Sequence, residues 1–190
     1  MNVYPLFLRL SGRSVVVVGA GSVGTRKVRE LCEVGANVRV IALQATEEVE
    51  RLARDGIISL EHRAFAPSDL DGAWLVVAAT NDSSANRVVA EAAEARRVFC
   101  NAVDDPPHAS AFFGAVLRRP PFLVAISSSG EVPALSRLLR QVLESALPEE
   151  RWIETARALR RKWKAEGTPM GDRFGQLVKV IAADLEHRTV

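Results

Sequence analysis

Gly19-x-Gly21-x-x-Gly24 follows directly on the apolar run Val15–Val18 and opens a stretch of helical composition. That context suits a dinucleotide. The first glycine permits a tight turn, the second lets backbone approach a pyrophosphate, and the third lets helix and strand pack closely, with the phosphates at the positive helix N-terminus. A second place is Asn101-Ala-Val-Asp104-Asp105-Pro-Pro107, at the predicted carboxyl end of a later strand, where open α/β sheets hold their ligands. A carboxylate there can serve as a general base, or the Asp-Asp-Pro-Pro run simply starts a loop. The third is Ile126-Ser127-Ser128-Ser129-Gly130-Glu131-Val132-Pro133, whose amides and hydroxyls suit carboxylate ligands as well as an ordinary helix N-cap.

The elements that must position these residues follow from periodicity. After the strand Val15–Val18 come a helix from Thr25 to Val34 closed by Gly35, a strand Asn37–Leu43, a helix Thr46–Arg54 and a strand Ile57–Arg63. Then follow a strand Ala73–Ala79, a helix Ser83–Arg96 opened by Asp82, and a strand Val98–Val103. Strands separated by single helices predict a Rossmann-type, doubly wound parallel α/β sheet reaching to about residue 112. Beyond it, Ala111–Leu117 and Phe122–Ser127 form a hairpin joined by Arg118-Arg-Pro-Pro121, and three amphipathic helices follow. Their apolar stripes are Leu135/Leu138/Leu139/Val142/Leu143, Trp152/Ala156/Leu159/Trp163 and Phe174/Leu177/Val178/Ile181/Leu185, punctuated by Pro148 and Gly167–Pro169. We therefore expect residues 1–112 as the nucleotide-binding domain, 113–147 as a dimerisation domain and 148–190 as a helical C-terminal domain. A two-stranded hairpin is barely stable alone, so a homodimer is expected.

With 190 residues, 48% of them hydrophobic, the chain can bury a full core. No apolar run reaches the ~18 residues of a membrane span, and Met1–Arg9 has no basic export segment, so a soluble, cytoplasmic protein is expected, with no membrane partner. Cys32 and Cys100 have no paired spacing and are expected as reduced core thiols. His62, His108 and His187 make no metal-ligand spacing, so no metal centre is expected. Residues 1–114 carry net charge −2 and residues 115–164 net +5. The basic segment, with Arg157, Arg160, Arg161, Lys162 and Lys164, faces either an anionic ligand or solvent. Nucleic acid is not expected, because Trp152 and Trp163 fall on the apolar side of their helix.

Tyr4–Leu10, Val18–Lys27, Val77–Asp82, Phe99–Asp104, Val124–Gly130 and Pro133–Arg140 together resemble the precorrin-2 dehydrogenase family of siroheme biosynthesis, the dehydrogenase/ferrochelatase half of siroheme synthase and its free-standing relatives. The resemblance implies NAD-dependent oxidation of the tetrapyrrole precorrin-2 to sirohydrochlorin and, in bifunctional members, insertion of ferrous iron. It implies Asp104 as the catalytic residue, with Asp105, Ser127, Ser128 and Arg137 on the substrate. It places the cofactor on Gly19, Gly21, Ser22, Val23, Gly24, Leu43, Gln44, Thr80 and Asn81. The second strand ends in Ala42-Leu43-Gln44, with neither an acid for a ribose 2′-hydroxyl nor an adjacent Arg for a 2′-phosphate, so NAD is taken from the resemblance. A competing reading is an NAD-responsive, dimeric redox-sensing module without catalysis. Asp104 and the absence of an evident helix-turn-helix count against it.

Overall fold

The computed structural model describes residues 3–128, 131–146 and 150–186. Five parallel strands, β1 (Ser14–Ala20), β2 (Asn37–Ala45), β3 (Ser59–Glu61), β4 (Leu75–Ala78) and β5 (Phe99–Ala102), form one sheet in the order β3-β2-β1-β4-β5. Helices α1 (Ser22–Glu33), α2 (Glu47–Arg54) and α3 (Ser83–Arg96) make three of the four connections, and β3 reaches β4 through a short 3-10 turn at Pro67–Leu70 where a single helix per crossover was expected. The order reverses between β1 and β4, which makes that pair the switch point of a doubly wound sheet.

The valine run of β1 explains both faces. Val15 and Val17 join Val28 and Leu31 of α1 and Val49 of α2 in one core, while Val16 and Val18 join Leu70 and Val89 and Ala93 of α3 in another. Because successive strand residues point to opposite faces, a sheet covered on both sides needs such an uninterrupted apolar run. Burying one valine contributes on the order of 1.5–3 kcal/mol.

Several element boundaries differ from expectation by one to four residues, and three of the differences bear on the architecture. α1 begins at Ser22, three residues early, because the Thr25 N–H already bonds the Gly21 carbonyl at 2.9 Å and the glycine motif is itself the first turn. β3 keeps only Ser59–Glu61, since a turn from Arg63 N–H to the Glu61 carbonyl (3.0 Å) ends it. In the hairpin, Arg118 and Arg119 lie inside β6 (Ala115–Arg119) and Pro120-Pro121 alone connect it to β7 (Phe122–Ile126), Arg119 pairing with Phe122.

By contacts the chain forms two compact units, Met1–Gly114 with Ser127–Val132, and Ala115–Ile126 with Pro133–Val190. The second contains the β6–β7 hairpin, α4 (Pro133–Ala146), α5 (Glu150–Glu166) and α6 (Met170–Glu186). Pro148 and the expected 147/148 boundary lie outside the described residues, as do His187 and, in the serine loop, Ser129 and Gly130. In α5 it is Ile153, rather than Trp152, that is buried with Trp163, whose indole N–H donates to Gln176 Oε1 of α6 at 2.6 Å. Among the described residues, no helix is long and apolar enough to cross a membrane.

Candidate functional site

The glycine motif sits at the carboxyl end of β1, beside the switch point. Gly19 has φ +97°, and a Cβ there would stand 2.5 Å from the Ala79 carbonyl oxygen. On Gly24 it would collide with the Gly19 carbonyl oxygen, so α1 approaches the end of β1 only because Gly24 lacks a side chain, while Gly19 leaves room for the Ala79–Thr80 backbone. At Gly21 nothing lies within 4 Å of the same position. That glycine is the N-cap of α1 and supplies no side-chain cap, which leaves the first amides of the helix, at Ser22, Val23 and Gly24, for an incoming anion. The cradle fits a dinucleotide pyrophosphate.

Three hydroxyl and amide side chains fix this cradle. The buried Thr25 hydroxyl lies 2.8 Å from the Gly21 carbonyl and 2.8 Å from the Thr46 hydroxyl, tying the loop to the end of β2. Thr46 also donates its N–H to Ala20 (3.2 Å) and caps α2 by accepting from Val49 N–H. After β4, the buried Asn86 accepts from Thr80 N–H and donates to the Thr80 carbonyl, both at 3.0 Å, while Asn81 stays exposed. Asn86 and Thr46 escaped the sequence reading, since each acts through space on a segment read as a separate element. An Asn one turn into a helix after a Thr-Asn-Asp turn was the available signal.

The β1–β2 ladder explains Leu43 and Gln44. Val18 pairs with Ile41 but Ala20 with Ala45, so Ala42-Leu43-Gln44 bulge opposite Gly19. Both side chains are exposed, Leu43 at 74%. The adjoining first turn of α2 carries Glu47, Glu48 and Glu50, and Glu48 holds Arg29 through two bonds of 2.8 and 2.9 Å to one guanidinium nitrogen. Residues 42–50, from the bulge through the first turn of α2, include no Lys or Arg to meet a 2′-phosphate.

Asp104 follows β5 at the same sheet edge, with Val103 N–H bonded to the Ala78 carbonyl at 2.9 Å. Its backbone is left-handed (φ +59°), and its exposed carboxylate has no hydrogen-bond or ionic partner among the described residues. Asp105 is engaged instead, both its oxygens lying 2.8 and 2.9 Å from His108 Nδ1. Behind this turn lies a cavity of about 520 Å³ lined by Glu91 and Glu94 of α3, Cys100 and His108. Its acidic rim is unsuited to a polyanion. Burial pushes the Cys100 thiol up to about 11, which keeps it protonated and inert. Cys32 is likewise a free thiol.

In the serine loop, the Ser128 carbonyl accepts from Glu131 N–H at 3.0 Å and its hydroxyl from Val132 N–H at 3.3 Å. Ser127 also has a bonding partner. Arg137, on α4 in the second unit, is exposed and has no partner among the described residues. Among those residues no group of three His, Cys, Asp or Glu could hold a metal ion.

A parallel doubly wound sheet with a side-chain-free phosphate cradle at its switch point defines a dinucleotide-binding protein of the α/β class. Residues 6–115 match the family model described as "Putative NAD(P)-binding", and the chain belongs to that family. It is 43% identical over 175 residues to a siroheme synthase of Citrobacter koseri, an alignment covering 91% of this chain and 38% of that protein. To siroheme synthase 2 of Klebsiella pneumoniae it is 47% identical over 148 residues, 78% of this chain and 32% of that one. The chain thus spans less than two fifths of the length of these curated relatives. The solved structure of SirC, a precorrin-2 dehydrogenase, superposes with TM-score 0.73 at 23% identity over 94% of this chain and 89% of that one, which establishes the same fold.

Proposed function

We propose that the chain is an NAD-dependent dehydrogenase that oxidises precorrin-2 to sirohydrochlorin in siroheme biosynthesis. The observation that carries this reading is the Asp104 carboxylate, without a partner among the described residues, at the same carboxyl end of the sheet as the glycine cradle. Removing a hydride together with a proton requires an acceptor and a base side by side. The similarity to siroheme synthases supports the choice of substrate.

When bound, NAD supplies the hydride acceptor. The amides of Ser22, Val23 and Gly24 hold the pyrophosphate, the Leu43–Gln44 bulge receives the adenosine ribose, and Thr80–Asn81 border the nicotinamide side. The acidic first turn of α2 and the engaged Arg29 favour NAD over its 2′-phosphorylated form. Asp104 takes the proton released as the hydride leaves. Ser127, Ser128 and Arg137 are the expected contacts to the carboxylates of the tetrapyrrole, and Asp105, bonded to His108, borders the substrate beside Asp104.

The working molecule in this reading is a cytoplasmic homodimer, with reduced Cys32 and Cys100. Residues 113–147 pair the subunits and 148–190 form the C-terminal helices. Val116, Phe122 and Leu123 of the hairpin and Leu135, Leu138, Leu139, Val142 and Leu143 of α4 are each at least 38% exposed, an apolar surface that favours a second copy as cover. Ferrous iron, where it is inserted, enters as a substrate. Anaerobic incubation with enzymatically made precorrin-2, with and without NAD and with ferrous or cobaltous ion, followed by absorbance, tests both activities. Sirohydrochlorin forming only when NAD is present supports the proposal, and equal conversion without it overturns it.

A further inference from the structure

We propose that His108 is a positioning residue, acting through Asp105 to hold the Asp104 carboxylate free and aimed at substrate. The inference rests on the reading of Asp104 as the base. The segment 103–111 leaves β5 and is pinned at both ends. Val103 bonds Ala78, and beyond the turn Ser110 and Ala111 N–H both donate to the Cys100 carbonyl at 2.9 Å while the Ser110 hydroxyl accepts from Cys100 N–H at 2.8 Å. Between those anchors the backbone makes three long bonds, Asp105 N–H to the Ala102 carbonyl at 3.4 Å, His108 N–H to the Asp105 carbonyl at 3.2 Å and Ala109 N–H to the Pro106 carbonyl at 3.2 Å. Among the described residues, the contact of 2.8 and 2.9 Å between His108 Nδ1 and the two Asp105 oxygens is the side-chain bond that closes the turn.

Two consequences follow for Asp104. Its φ of +59° lies in the left-handed region, which Asp tolerates better than most side chains, and the turn that holds it there is clasped on its next neighbour. The clasp also commits the adjacent carboxylate to His108. Of the two acids in the turn, only Asp104 then remains to meet a proton on the substrate.

The test is steady-state oxidation of precorrin-2 by His108→Ala, His108→Asn, His108→Gln and Asp104→Asn, with NAD affinity measured by calorimetry. His108→Ala is expected to lower kcat about tenfold or more with KM and NAD affinity within about twofold, as loss of a positioned base requires. The amide nitrogen of Asn overlays imidazole Nδ1, so His108→Asn should return to within about threefold of the parent, whereas the longer Gln should not. Unchanged kcat in His108→Ala, equal rescue by Gln and Asn, or an effect confined to KM overturns the inference. If the alanine variant does not fold, the Asn and Gln pair decides it. A slow Asp104→Asn beside a fast His108→Ala defeats this inference and leaves the base standing, while a fully active Asp104→Asn removes both.

Discussion

Asn86 of α3 closes on Thr80 from two sides, accepting from its main-chain N–H and donating to its carbonyl, each at 3.0 Å. The pair joins the turn after β4 to the first helical turn that follows and holds it against Gly19. Because Asn86 is buried, Asn86→Leu strands a main-chain donor and acceptor away from water. We expect a loss of about 1–3 kcal/mol in urea denaturation and weaker NAD binding by calorimetry. A variant as stable as the parent would show that Thr80 finds other partners.

The glycines separate stability from binding. In Gly24→Ala the new Cβ meets the Gly19 carbonyl oxygen, a backbone atom that cannot swing aside, so folding itself should lose about 1–3 kcal/mol. Gly21→Ala meets no protein atom within 4 Å, and its φ of −74° is open to alanine. Its melting temperature should stay near that of the parent while NAD affinity falls, since the methyl group occupies the phosphate's approach. Unchanged affinity in a folded Gly21→Ala protein would remove the pyrophosphate from this loop.

Acid stability should depend on Asp69. Its carboxylate pairs with the Arg63 guanidinium at 2.6 and 2.8 Å, accepts from Ala66 N–H at 2.8 Å and lies 3.5 Å from Arg39. The bonds from Arg63 are the chief reason that its pKa is lowered in the folded chain. A depressed folded pKa gives stability that is complete above the unfolded value and is lost as pH falls through the folded one. Asp69→Asn should therefore be less stable near neutrality and show a flatter acid limb below about pH 4, measured by denaturation across pH. An acid limb identical to the parent's would assign the transition to other carboxylates.

Much of this was legible because it is local. The valines of β1 and the three glycines carry strand, turn and close packing within eleven residues, and Asp82 opens α3 where the sequence puts it, accepting from Ser84 and Ala85 N–H. What escaped works across segments. Thr25 meets Thr46 twenty-one residues on, and the Leu43–Gln44 bulge shows only once β2 is laid against β1. His108 was visible as a neighbour of the acids, but its grip on Asp105 depends on a helical turn that two prolines disguise. In α5, periodicity identified an apolar face but placed its edge at Trp152, one position from the buried Ile153.

Asp104→Asn keeps the side chain's shape and removes its basicity. Turnover of precorrin-2 should fall by about 10² or more with NAD affinity nearly intact. Asp105→Asn is the informative companion, because Asp105 already has a partner in His108 and its amide oxygen can still accept from Nδ1. Its loss should be several-fold smaller. A larger effect at Asp105 would transfer the base to that residue, and no effect on rate at either, with weaker substrate binding at both, would make the pair a substrate-positioning device.

The last expectation concerns the apolar surface of the second unit. Leu138 and Val142 are each 54% exposed and lie one turn apart on α4, and Leu123 of β7 is 42% exposed. Solvent contact for so many large apolar groups is unfavourable by about 25 cal/mol per Å² of apolar area, a cost that association with a second copy removes. The protein should sediment as a dimer at micromolar concentration, and Leu138→Glu combined with Val142→Glu should shift it to monomer, because each substitution recurs in both subunits of a symmetric contact and the pair together buries four unpaired carboxylates per dimer. NAD binding should survive in that monomer, since the glycine cradle and its supports lie wholly within the first unit. A parent protein that sediments as a compact monomer would refute the assignment, and a double variant that stays dimeric would move the interface off this face of α4.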